Sequence, residues 1–371
     1  MLHDAKDLNH YRQIEIGRRL KVRAEHGRSS MLLSILLVTS LVAISSFIVA
    51  MTHQVAATDT SSENFTIIAL PDTQYYSQSY PEIFENQTKW IVQHKDEYNI
   101  VFVAHLGDIV NNSSQDYQWQ NADNAMSILD GQVPYGILPG NHDGGTNYEK
   151  YFPASRYENY SYWGGSYDPK SAASPSPNMN NYQLFSAGGM DFIALNLGYG
   201  PSDDVLSWAD NVLTEYSDRR AIVSTHSYLD ANGSLTDDGG TKIYNKVVVP
   251  ETNVFLVLCG HVHAEARRTD NLDNRIVYQL LSDYQSFTRG GNGYLRIMKF
   301  VPSENKIYVK TYSPYLGQYD NDSSSQFELV LYPMTPKVVT TADGVSLWPY
   351  VGVVVVVVVI IAALLIFIKP F

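Results

Sequence analysis

An α/β domain with mixed strand pairing is what the order of apolar runs predicts for this 371-residue chain. Three observations carry the reading. Short apolar runs in the first half alternate with stretches of helical spacing, the βαβαβ order of a parallel sheet covered by helices. After residue 276 the strand-like runs look antiparallel. Five strands each end in a cluster of Asp, Asn, Gln or His, and the crevice outside strand carboxyl ends is where sheets of this kind bind ligands.

The elements follow in order. FTIIAL at 65–70 is an apolar run fit for a buried strand, broken by Pro71. Residues 80–98 place Ile83, Phe84, Trp90, Ile91 and His94 at helical spacing. NIVFVAHL at 99–106 is a second strand, 116–129 a helix with Trp119, Met126 and Leu129 inward, and 135–138 a third strand. The pattern lapses from 148 to 181, too long for a plain connection. There Tyr151, Tyr157, Tyr160, Tyr162, Trp163 and Tyr167 either pack an ordered loop or stack a nucleobase or sugar. Strands at 182–186 and 191–197 flank a glycine turn. A helix at 203–216, a strand at 221–225, a helix at 240–249 and a strand at 254–258 follow, then strands at 276–281, 294–300, 307–312 and 327–331. The loop 283–293 offers Arg289, an arginine able to grip a phosphate in two places.

The ends read differently. Residues 31–50 and 348–368 are uncharged and apolar, each long enough at about 1.5 Å per residue to cross about 30 Å of hydrocarbon. Arg18, Arg19, Lys21, Arg23 and Arg28 precede the first, so the chain after residue 50 is expected outside the cell. Residues 31–50 read either as a retained anchor or as a cleaved signal. The expected organisation is a basic cytoplasmic segment at 1–30, the span at 31–50, a linker at 51–63, the functional domain at 64–336, a stalk at 337–347, a second span at 348–368 and a tail at 369–371. Membrane lipid is then one partner. A net charge of −12 argues against a broad nucleic-acid surface. The single cysteine, Cys259, excludes an intrachain disulfide.

The strand ends carry the chemistry. Asp72 and Gln74 follow the first strand, Asp108 and Asn111 the second, Asn141 and His142 the third; His226 follows the strand at 221–225, and His261 and His263 that at 254–258. Strand alternation would send His261 and His263 to one face. Each residue alone has an ordinary use. Asp72 and Asp108 can cap helices, Asn141 can serve a turn, and His226 can be a hydrogen-bonded core histidine. Five such endings together argue for one polar site.

D-x-Q at 72–74, GD-x-x-N at 107–111, GNHD at 140–143, the lone His226 and GH-x-H at 260–263 resemble the calcineurin-like metallophosphoesterases in order and approximate spacing. The resemblance implies a four-layered α/β/β/α sandwich of two mixed sheets, here flanked by terminal transmembrane helices. It implies that Asp72, Gln74, Asp108 and His263 hold a first metal ion, and that Asp108, Asn141, His226 and His261 hold a second. The implied cofactors are two divalent or trivalent transition-metal ions, Mn, Fe or Zn. Carboxylate, imidazole and amide oxygen suit those ions, and the absence of thiolate argues against soft-metal sites.

The implied activity is hydrolysis of a phosphoester, mono- or diester, by a hydroxide bridging the two ions. His142 would assist the leaving group, on the outer face of the membrane. Two positions depart from the common pattern: Gln74 stands where many members have His, and Asn111 where many have an Asp that orients the catalytic His. The Asn111 side-chain carbonyl is expected to take that task. No Tyr stands there, as it does in purple acid phosphatases. A surface binding or adhesion protein on the same scaffold is the alternative, since a fold does not fix function.

Overall fold

The computed structural model describes residues 63–169, 178–273 and 275–331, with Arg18. The apolar stretches 31–50 and 348–368, nearly all of the linker and the stalk lie outside the described residues. Among the described residues no helix is long and apolar enough to cross a membrane.

Among the described residues, fourteen strands form two seven-stranded sheets. The first contains β1 (Phe65–Leu70), β2 (Ile100–His105) and β3 (Tyr135–Gly136), paired in parallel. The second holds β4 (Trp163–Ser166), β5 (Asn180–Ala187), β6 (Met190–Leu197), β7 (Arg220–Thr225), β8 (Val254–Cys259), β9 (Glu265–Leu272) and β10 (Arg275–Ser282), in the order β4-β5-β6-β7-β8-β10-β9. The chain then returns to the first sheet with β11 (Leu295–Val301), β12 (Lys306–Ser313), β13 (Gln318–Asp320) and β14 (Phe327–Val330). β11 pairs antiparallel with β1, and β12 with β11.

Period-two alternation divides each strand between two cores. Phe65, Ile67 and Ala69 of β1 join Phe192, Ile222, Leu256 and Phe300 between the sheets. Ile68 and Leu70 face the other way, onto Ile83, Phe84, Ile91 and Trp119 of the covering helices. On the second sheet Val223 and Val257 pack outward against Leu206 and Leu213. Three apolar interfaces separate four layers, and each fully buried Leu, Ile or Phe stabilises by about 1.5–3 kcal/mol. The helix Pro81–Gln93 starts with proline at a position that needs no N–H, and Asp203–Glu215 is capped by Ser202, whose hydroxyl accepts from Val205 N–H at 3.3 Å.

Two expectations change, and one open alternative resolves. β10 was expected to be antiparallel throughout, but it runs parallel to β8 and antiparallel only to β9. β9 was not anticipated: its sequence EARRTDNL buries no residue fully, so it carries no apolar alternation, and register with β10 alone defines it. The aromatic stretch after 148 packs rather than presents. Tyr148, Phe152 and Tyr157 sit in the helix-side core, Tyr157 stacks on Trp163 at 5.5 Å, and Arg156 ties the segment to Asp123 at 2.6 Å and Asp130 at 3.0 Å.

Candidate metal centre

The loops after β1, β2, β3, β7 and β8 bring most of the expected polar residues together. Asp108 sits at φ +47 behind Gly107, and His261 at φ +72 behind Gly260, backbone positions that cost a non-glycine residue about 1–3 kcal/mol. His261 and His263 therefore lie in a bend past the end of β8, not on an extended strand, so strand alternation does not orient them. Thr73 N–H donates to the Asp108 carbonyl at 3.1 Å, joining the first two loops.

Asp108 is the hub. Its Oδ1 accepts the His142 N–H at 2.9 Å, and its Oδ2 lies 3.2 Å from His226 Nε2. His226 Nε2 is also 2.9 Å from Asn141 Oδ1 and 3.2 Å from His261 Nδ1. Asp108, His226 and His261 can thus offer three ligand atoms within 4.8 Å of one another. His226 Nδ1–H donates to the Leu106 carbonyl at 2.9 Å, which turns Nε2 into the site. His142 Nδ1–H donates to the main-chain carbonyl of Asn111 at 2.8 Å, and its Nε2 stands 4.0 Å from Asp108 Oδ2. The orienting oxygen is therefore the backbone of Asn111 and not its side chain, a correction to the expectation above.

Asp72 lies alongside. Its Oδ2 accepts the His261 N–H at 3.2 Å, and its Oδ1 is 3.8 Å from His226 Nδ1. Gln74, at the start of the helix Gln74–Ser79, reaches the same side through Gln285, whose Nε2 is 3.4 Å from Asp72 Oδ2. His263 is exposed.

Glycine in two motifs is set by close approach. A Cβ on Gly140 would lie 2.1 Å from Asp108 Oδ1 and 2.4 Å from its main-chain nitrogen, and one on Gly260 would lie 2.4 Å from Asp72 Oδ1. Gly140→Ala must displace backbone. We expect a loss of about 1–3 kcal/mol in stability, with a matching loss of bound metal. An unchanged thermal midpoint and metal content in that variant would rule this packing argument out.

The site's electrostatics and satisfaction fit a cation. Burial, then the neighbouring Asp283 and Asp108, raises Asp72 well above the usual carboxylate range. Burial also raises Asp108, but the hydrogen bond and charge of His226 outweigh it and hold that carboxyl low. Asp72 Oδ1 and Gln74 Oε1 are buried oxygens that accept no hydrogen bond from the described residues. Buried acceptors left without a donor are costly, and a metal ion satisfies them. Carboxylate, imidazole and amide oxygens suit Mn, Fe or Zn.

Several residues escaped sequence reasoning. Asp143 is the fourth letter of GNHD, and its buried carboxylate accepts Ile109, Val110 and Gly140 N–H at 2.9, 2.9 and 2.8 Å, clamping two site loops together. Burial, then Asp108, pushes its pKa up to about 7. Asp283 and Gln285 back the Asp72 side, and Asp238 Oδ2 lies 3.6 Å from His261 Nε2. No local motif marks the last three. Arg289, at φ +54, lays its guanidinium over Tyr315 at 5.6 Å.

The family model of calcineurin-like phosphoesterases matches residues 65–265. The uncharacterized protein YvnB of Bacillus subtilis (strain 168) is 39% identical over 302 residues, a match covering 76% of this chain and 23% of that one. The chain thus spans about a quarter of that curated relative's length. Among solved structures, a dimetal phosphatase from Danio rerio is 16% identical with a TM-score of 0.45, covering 72% of this chain and 99% of that one. The purple acid phosphatase PPD1 of yellow lupin (Lupinus luteus) is 13% identical with a TM-score of 0.47, covering 72% and 54%. With the family model matched over more than half of its length, the chain belongs to the calcineurin-like phosphoesterase family.

Proposed function

We propose that the chain hydrolyses a phosphoester at this centre, in a domain held at the outer face of a membrane by the stretches 31–50 and 348–368. The observation that carries the chemistry is the pair of unsatisfied buried oxygens, Asp72 Oδ1 and Gln74 Oε1, beside the Asp108–His226–His261 cluster. Asp72, Gln74, Asp108 and His263 would hold one ion, and Asp108, Asn141, His226 and His261 the other. Two such ions, when bound, would activate a water as nucleophile and neutralise phosphoryl oxygens. His142 holds a proton at Nε2 for the leaving oxygen, its ring fixed by the Asn111 carbonyl.

The topology suits attachment through the two chain ends. Phe65 pairs with Phe300, Val301 with Lys306, Lys306 with Val330, and Leu331 N–H donates to the Asn305 carbonyl. Residues 63 and 331 therefore both lie at the strand ends opposite the site.

The test is hydrolysis of bis-p-nitrophenyl phosphate and p-nitrophenyl phosphate by the full chain, stripped of metal and then refilled with Mn, Zn or Fe. Turnover should vanish on stripping and return on refilling, and the faster substrate assigns diester or monoester. Two bound ions with no turnover on either substrate would count against the phosphoesterase reading and favour the binding scaffold.

A further inference from the structure

We propose that Gln285 is a positioning residue that fixes which end of the Gln74 amide faces the metal. A glutamine ligand has a problem that the more common histidine lacks. Its amide ends in an acceptor and a donor of nearly equal size, and only the oxygen can bind a cation. Something must hold the NH2 end away.

The structure shows a relay that does this. Asp283 is a carboxylate, 2% exposed, in the loop after β10. It takes the Gln285 main-chain N–H on Oδ1 at 2.9 Å and the Gln285 Nε2–H on Oδ2 at 3.1 Å. With its donor end engaged, Gln285 presents Oε1 on its other side. That oxygen accepts a hydrogen bond from Gln74 Nε2. Gln74 is then left with Oε1 free, buried and without a donor among the described residues, at the Asp72 side of the centre. Every link has one polarity, from the Asp283 carboxyl oxygens at one end to the open Gln74 oxygen at the other. Gln74 and Gln285 are 3% and 5% exposed, so water cannot take over the relay cheaply.

This rests on the metal reading of the centre but not on turnover, so its test reads metal. Mn content and affinity would be measured by equilibrium dialysis of the full chain. Gln285→Met removes the acceptor at similar volume. Gln285→Asn keeps an amide for Asp283 but falls one methylene short of Gln74, and it serves if the first variant does not fold. Either should weaken one of the two Mn sites about 10–100-fold, the usual cost of losing a group that orients a ligand. The discriminating background is Gln74→Glu. A carboxylate has no NH2 end to misplace, so there the same changes at 285 should alter affinity by less than about threefold. The proposal is overturned if the 285 variants fold and bind Mn as the parent does. It is equally overturned if they lose affinity alike in both backgrounds, the mark of a merely structural role, or if the parent binds no ion. A parent that binds two ions and keeps this pattern but hydrolyses nothing would leave the relay standing and remove the hydrolase reading.

Discussion

Asp108→Asn should lower kcat by about 10³-fold, the upper range for removing one preorganised electrostatic group from an active site. The substitution is nearly isosteric. Asparagine tolerates the left-handed backbone at this position, and its Oδ1 can still accept the His142 N–H. The fold should therefore survive, and a thermal midpoint close to the parent's is part of the expected result. What is lost is charge. Asp108 Oδ2 lies 3.2 Å from His226 Nε2 and 4.0 Å from His142 Nε2, between a proposed metal ligand and the proposed proton donor. An amide there offers one neutral oxygen in place of a carboxylate that can serve both. Metal content should fall together with turnover. A variant that keeps turnover within tenfold of the parent would remove Asp108 from the centre of the mechanism.

The reason this residue could be found in the sequence is local. Each strand that ends in the site is a short apolar run, and the residues just beyond it are fixed by chain direction, whatever the rest of the fold does. Asp72, Asp108, Asn141 and His226 were legible as one cluster on that ground; the close approaches at the glycines before Asp108 and Asn141 were not. Legibility stopped where geometry depends on a non-local partner. His261 and His263 face as their bend turns them, and alternation was the wrong rule. Asn111 contributes a backbone oxygen, which no side-chain pattern encodes. Asp283 and Gln285 stand more than 200 positions from the residues they support, in a loop whose letters resemble any surface loop. β9 shows the same limit in the fold. It is an edge strand with polar residues on both faces, defined by its neighbour.

Arg296→Met should destabilise the protein by about 3–5 kcal/mol, the range for leaving one member of a buried ion pair unpaired. Arg296 of β11 is fully buried and donates through Nη2 to Glu265 Oε1 at the start of β9, so the pair links the two sheets. Glu265 also accepts the Tyr284 hydroxyl at 2.6 Å and the Thr311 hydroxyl at 2.7 Å. Adding Glu265→Gln should recover part of the loss, because the neutral amide removes the stranded charge and its oxygen still accepts those hydroxyls.

The pH dependence has a definite sign. Burial raises the Glu265 pKa, but Arg296 and the Ser325, Tyr284 and Thr311 hydroxyls outweigh it, so the folded value lies below the ordinary one. A depressed folded pKa gives stability that is present above the unfolded value and lost as pH falls through the folded one. The gap between the parent and Glu265→Gln should therefore be widest near neutrality and close in acid, as read by denaturant unfolding at several pH values. A gap that stays constant or widens in acid would assign the stabilisation to packing instead. The consequence reaches the centre through Tyr284, which stands between Asp283 and Gln285. The same buried pair that joins the sheets anchors the loop beside Gln74, and loosening it should weaken metal binding before the protein unfolds globally.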